Sequence, residues 1–165
     1  MTFDPPDSSD PPQLLQPNSR NCFVCGLQNA IGLRLRFFHR QDGGVQARVR
    51  LSSEYEGYPG LVHGGIVAAL LDEIVGRALM VDDPNRFMMT ARLELRYRQP
   101  VPVGQPLQLS GWVLRDRGRS ATAHGELRLL SGELAAEAEA LLAEWPDSPR
   151  DPELLDRLGW KVVPE

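Results

Sequence analysis

A chain of 165 residues is long enough to close one buried core and too short for two ordinary domains. Its 42% hydrophobic and 24% charged residues mark a globular composition, and a formal net charge of -4 excludes the concentrated basic surface that nucleic-acid binding requires. Lys161 is the only lysine among 18 basic residues, so cationic contacts fall to planar, bidentate arginines.

The first 20 residues carry Pro5, Pro6, Pro11, Pro12 and Pro17 among Asp and Ser. Such a composition buries too little apolar surface to offset the entropy of ordering, which predicts a disordered tail over 1–20. It offers neither a cationic segment nor an apolar one of the secretory kind. The longest apolar run, Ile66 to Leu71, is far short of the ~20 residues of a membrane span. The expectation is therefore a cytoplasmic protein with no membrane partner and no nucleic-acid partner.

Cys22 and Cys25 follow in a single CxxC. A structural zinc site takes four N or S ligands, and no histidine pair at finger spacing supplies the rest, so the pair reads as two reduced thiols and no metal. Period-2 patterning begins next. Leu33, Leu35 and Phe37 alternate with Arg34 and Arg36, and Val45, Ala47, Val49 and Leu51 alternate with Gln46, Arg48 and Arg50. Both segments, Gly32 to His39 and Val45 to Leu51, are predicted strands with one buried face.

The pattern then breaks. From Gly64 to Val81 the sequence is rich in Ala, Leu, Ile and Val, with Asp72, Glu73 and Arg77 as its only charges. It opens after Pro59-Gly60 and stops before Asp82-Asp83-Pro84-Asn85, as a long buried helix would. Alternation resumes with Ala91, Leu93, Leu95 and Tyr97 against Arg92, Glu94, Arg96 and Arg98. It continues through Leu107 to Val113 and Ala121 to Leu129. Glu133 to Glu144 has helical propensity but also alternates Ala136, Ala138 and Ala140 with Glu137 and Glu139. A C-terminal segment over 146–165 is expected to hold a short helix near Pro152 to Leu158, with Trp160, Val162 and Val163 folding back.

The chemistry concentrates on the long helix. His63-Gly64-Gly65 sits at its start, where unpaired N–H groups and the helix dipole can hold a developing oxyanion. Asp72 has only Ala68, Ala69, Val75 and Gly76 three and four positions away, whereas Glu73 has Arg77 as an i,i+4 partner. A carboxylate without a helical partner on a buried helix is costly, and such groups concentrate at functional sites. The plainer alternatives are a helix cap for His63, an ordinary Gly-Gly turn, and a surface threonine for Thr90, which shares its polar face with Arg92 and Glu94. Arg117 and Arg119, in the loop RDRGRS, are candidates for holding phosphates or simply a solvated turn.

The segment GYPGLVHGGIVAALLDEIVG, with NCFVCGLQNAIGLRLRF upstream and TARLELRYRQPVPVG downstream, resembles the hotdog-fold acyl-CoA thioesterases of the 4-hydroxybenzoyl-CoA and phenylacetate-pathway type. The resemblance covers about 21–145. It implies an α+β hotdog fold in which a curved antiparallel sheet wraps one long helix, and it is the main reason Glu133 to Glu144 is assigned a strand. It also implies a homodimer or dimer of dimers with active sites between subunits. Carried over to this chain, it makes Asp72 the general base or nucleophile against the thioester carbonyl. Gly64 N–H would polarise the carbonyl oxygen, His63 would orient the site, and Thr90 would help place the lytic water. Independently of the resemblance, Gly65 at the helix start and Arg117 and Arg119 in the RDRGRS loop are the expected substrate contacts. Coenzyme A is part of the substrate, and no cofactor is implied. Some relatives carry an Asn where this chain has Gly57, so one substrate contact is missing here. The other readings are a non-catalytic acyl-CoA-binding module and a hotdog hydratase or dehydratase of enoyl thioesters. The latter carries its Asp and His on a differently patterned segment.

Overall fold

The computed structural model describes residues 14–163. Its elements in chain order are β1 (Phe38–His39), β2 (Val45–Arg50), a 3-10 turn (Ser53–Tyr55), β3 (Glu56–Tyr58) and β4 (Leu61–Val62). Then come α1 (Gly64–Ala78), β5 (Met88–Tyr97), β6 (Pro106–Asp116), β7 (Ser120–Leu129), β8 (Leu134–Glu144) and α2 (Pro152–Leu158). A six-stranded sheet runs in the order β1-β2-β6-β7-β8-β5, with antiparallel pairing throughout. α1 packs across its concave face, which is the hotdog arrangement. β3 and β4 form a separate two-stranded ribbon just before α1.

The alternation in sequence becomes a two-faced sheet. Val45, Ala47 and Val49 of β2, Leu107 and Leu109 of β6, Ala121, Ala123 and Leu127 of β7 and Ala136, Ala138, Ala140 and Leu142 of β8 are all buried under α1. β8 resolves the conflict between propensity and alternation. It pairs with β7 on one side and β5 on the other, so its alanines give the helix a shallow bed while Glu137 and Glu139 point away. Two glycines set how closely α1 approaches. A Cβ at Gly111 would lie 2.7 Å from the Ile74 carbonyl oxygen, and one at Gly125 would lie 2.9 Å from Ile74 Cγ2.

Three expectations change. Within Gly32 to His39 only Phe38–His39 pairs in the sheet. Leu33, Leu35 and Phe37 are buried as expected, but Leu33 and Leu35 donate their N–H groups to the Phe23 and Val24 carbonyls of the preceding turn. Alternation reports burial, and here the partner is a loop. Second, α1 stops at Ala78, with Leu79 capping it, rather than reaching Val81.

Third, the expected disordered tail over 1–20 is not uniform. Residues 1–13 lie outside the described residues, but Gln16 and Asn18 are 1% and 2% exposed. Gln16 Nε2 donates to the Arg77 carbonyl, and Asn18 Nδ2 donates to the carbonyls of Cys25 and Leu35. The buried Arg77 explains the packing. Its Nε pairs with Glu73 at 2.9 Å, its Nη1 donates to the Pro17 carbonyl, and its guanidinium lies over the rings of Phe37 and Trp160. α2 matches the expected segment. Trp160 folds back to donate to Asn85 Oδ1 and meet Phe87 edge-on, while Val162 stays exposed.

Candidate active site

β3, β4 and the helix start are assembled around His63. Its N–H donates to the Tyr55 carbonyl, and Gly57 is tight against it, because a Cβ at Gly57 would lie 3.0 Å from His63 Cα. His63 is the N-cap of α1, and its Nδ1 accepts the Gly65 N–H at 2.9 Å. That bond uses the Gly65 amide for the helix and leaves the proton of a neutral imidazole on Nε2. Gly64 occupies the first helical position, whose N–H has no carbonyl within the helix to bond. Its own carbonyl accepts the Tyr97 hydroxyl of β5 at 2.9 Å, fastening the helix start to the sheet. The alternation in sequence places Tyr97 simply among the apolar positions of this strand. A hydroxyl on an otherwise apolar strand face was the one available signal for its second role.

Asp72 is half-buried, two turns further along. Thr90 Oγ1 donates to its Oδ1 at 2.8 Å, and no ion pair involves it among the described residues. Strict alternation puts Thr90 on the opposite face from Leu93 and Leu95, and the structure corrects this. β5 pairs Thr90 with Leu142 but Arg92 with Leu141, so an extra residue is inserted at Ala91. This bulge turns Thr90 to the same inner face as Leu93, Leu95 and Tyr97 and aims it at Asp72. Glu73 pairs with Arg77, as the i,i+4 spacing implies, and its second oxygen accepts from the Cys22 thiol.

Asp72 and the Gly64 amide do not meet within one chain. Eight residues separate them along α1, which at 1.5 Å per residue is about 12 Å. The aspartate leans towards the helix start but closes only a few ångströms of that gap. A base and an oxyanion donor serving one carbonyl both stand about 3 Å from the reacting centre.

Arg117 and Arg119 lie in the β6–β7 turn, at the end of the sheet that carries Thr90. Thr90 pairs with Leu142, which pairs with Ala121, so the turn is two strands away, about 10 Å. Both arginines are exposed, and Arg119 Nε lies 3.7 Å from Glu144 Oε2. A groove of about 650 Å³ lies elsewhere, between the 31–36 segment and β2, lined by Ile31, Arg34, Arg36, Arg48 and Tyr55 among others. No helix among the described residues is long and apolar enough to cross a membrane.

Residues 59–136 match the family model described as Thioesterase superfamily. The chain is 34% identical to the putative esterase F42H10.6 of Caenorhabditis elegans over 91 residues, 54% of this chain and 54% of that protein. It is 24% identical to the acyl-coenzyme A thioesterase THEM4 of Rattus norvegicus, over 59% of this chain and 41% of that protein. The chain thus spans about half the length of these relatives. Among solved structures it resembles the thioesterase superfamily protein RHA08564, with a TM-score of 0.69 and 34% identity, covering 76% of this chain and 61% of that one. The sheet wrapped on α1 thus has the fold of this solved relative, and the segment that carries His63-Gly64 and Asp72 is similar to the thioesterase superfamily model.

Proposed function

We propose that this protein hydrolyses an acyl-CoA thioester to the free acid and coenzyme A, working as a homodimer or dimer of dimers. The observation that carries the reading is Asp72 on the open face of α1, oriented by Thr90 through a 2.8 Å bond and paired with no cation among the described residues. With Oδ1 occupied by the Thr90 hydroxyl, Oδ2 is left to take a proton from water or to attack the thioester carbon itself. The Gly64 N–H at the start of a second subunit's helix would hold the oxyanion. Hydrolysis of this kind draws on no metal and no redox cofactor. Relatives whose names include esterase and acyl-coenzyme A thioesterase support the reaction class.

Two observations support the dimer. α1 leaves Gly65 exposed and Ala68, Ala69, Asp72 and Gly76 only partly covered along one side, although such an apolar helix is expected to be covered nearly all round. β5 is a ten-residue edge strand, with Met89 and Tyr97 60% and 54% exposed, and a long open edge of that kind invites pairing with another copy. The deciding experiment is a panel of acyl-CoAs assayed for thiol release by the native protein and by Asp72→Asn. Native turnover with a folded, inactive variant supports the reading. Ligand-induced stabilisation without turnover by the native protein would instead make the chain a binding module.

A further inference from the structure

The CxxC pair is drawn into a three-group cluster by the tertiary fold. Cys22 Sγ, Cys25 Sγ and a Glu73 carboxylate oxygen all lie within 4.8 Å of one another. The turn that holds the pair is closed by the Gly26 N–H donating to the Cys22 carbonyl at 2.9 Å. In a turn this tight, Cα atoms three residues apart come within about 7 Å, inside the range a disulfide bridges. The two thiols are unequal. Cys25 is 1% exposed, whereas Cys22 is only partly buried. Cys22 Sγ accepts the Val24 N–H at 3.3 Å and the Cys25 N–H at 3.5 Å, and its own S–H faces Glu73 Oε2 at 3.6 Å.

We propose that Cys22 and Cys25 form a thiol–disulfide exchange site whose reagents are small, soluble disulfides, with Cys22 as the attacking thiol and Cys25 as the resolving one. The proton of Cys22 leaves through the Glu73 carboxylate, and the thiolate attacks one sulfur of the disulfide RSSR. This forms a mixed disulfide and releases RS⁻. The Cys25 sulfur then attacks Cys22 Sγ and passes its proton to the departing sulfur, so the second thiol leaves as RSH, while the first RS⁻ takes up the proton that left through Glu73. In sum, two cysteine thiols are oxidised to one disulfide, and RSSR is reduced to two RSH. The surroundings suit this division. The S–H of Cys25, aided by the two amides, holds the Cys22 thiol down at about 7 against the opposing effects of burial and Glu73. Donating that hydrogen bond, together with burial, pushes the Cys25 thiol well up. A resident divalent metal fits less well. Three donors fall one short of a structural zinc, and the second Glu73 oxygen is already held by Arg77 Nε at 2.9 Å.

The test uses the full chain, oxidised glutathione as the probe, and intact mass with thiol counting as the readout. The native protein should lose two hydrogens and both free thiols while still folded, with no lasting glutathione adduct. Cys25→Ser should instead accumulate one glutathione on Cys22, and Cys22→Ser should stay unmodified until unfolded by urea. The proposal is overturned if the native protein keeps both thiols in excess oxidised glutathione, or stops at a stable mixed disulfide. Stoichiometric zinc in protein purified without chelator would overturn it too. The native measurement needs no variant, so a misfolded substitution does not blur the outcome.

Discussion

The separation of about 12 Å along α1 between Asp72 and the Gly64 amide makes a quantitative prediction. Gly64→Pro deletes one N–H and puts a ring in its place, whose Cβ would make only ordinary contact with Tyr97 at 3.7 Å. Proline is welcome at the first helical position, and His63, with φ -59° and ψ 133°, already has the extended backbone required before a proline. The fold should therefore persist, with a thermal midpoint close to the native one. Loss of an oxyanion donor should lower kcat by about 10²–10³, or roughly 2.7–4 kcal/mol, with KM for the acyl-CoA little changed. Because each site would take its base from one subunit and its amide from the other, mixed subunits test the geometry. Gly64→Pro and Asp72→Asn proteins, unfolded and refolded together in equal amounts, give heterodimers in about half the population. Each heterodimer has one intact and one doubly damaged site, so thiol release should recover to about a quarter of native. No recovery above the separate variants, in a mixture shown by mass to contain heterodimers, would refute the shared site. Native kcat in Gly64→Pro would refute the amide's role altogether.

Other outcomes follow from the same contacts. Thr90→Val, close in shape but lacking the hydroxyl, frees Asp72 Oδ1 and should lower kcat more than it raises KM. An unchanged kcat would reduce Thr90 to a packing residue. Arg77→Ala leaves Glu73 half-buried without its cation and strips the Pro17 carbonyl of its donor, so urea denaturation should show a loss of about 3–5 kcal/mol. Asp116 is held at about 2, below its ordinary 3.8, chiefly by the Arg86 guanidinium and then by the Gly118 N–H. A depressed carboxylate contributes stability that is complete above its unfolded value and lost as pH falls through its folded one. Arg86→Gln should therefore lower stability at neutral pH and flatten its fall between about pH 4 and pH 2. The exposed setting of this pair keeps the effect modest.

Several of these features were already legible along the chain, because they depend on neighbours close in sequence. The 3.6-residue spacing that pairs Glu73 with Arg77 also leaves Asp72 without a helical partner, and the structure reproduces both. Period-2 burial in β2 and β7 was equally plain, whereas β6 keeps it only as far as Leu109. Glu133 to Glu144 was different. Its residues favour a helix, and only strands on both sides, from distant parts of the chain, make it β8. The bulge at Ala91 left no mark in the alternation of apolar residues. It arises from the register between β5 and β8, and it alone turns Thr90 towards Asp72. The packing of Gln16 and Asn18 depends on Arg77 and Cys25, so tail-like composition misled where long-range hydrogen bonds were on offer. Sequence alone determined the buried positions of β2 and β7 and which acid would stand without a helical partner, because periodicity is a local property. Only the tertiary structure decided register and which side chains turn inward, because these are set by pairing between segments that no local pattern encodes.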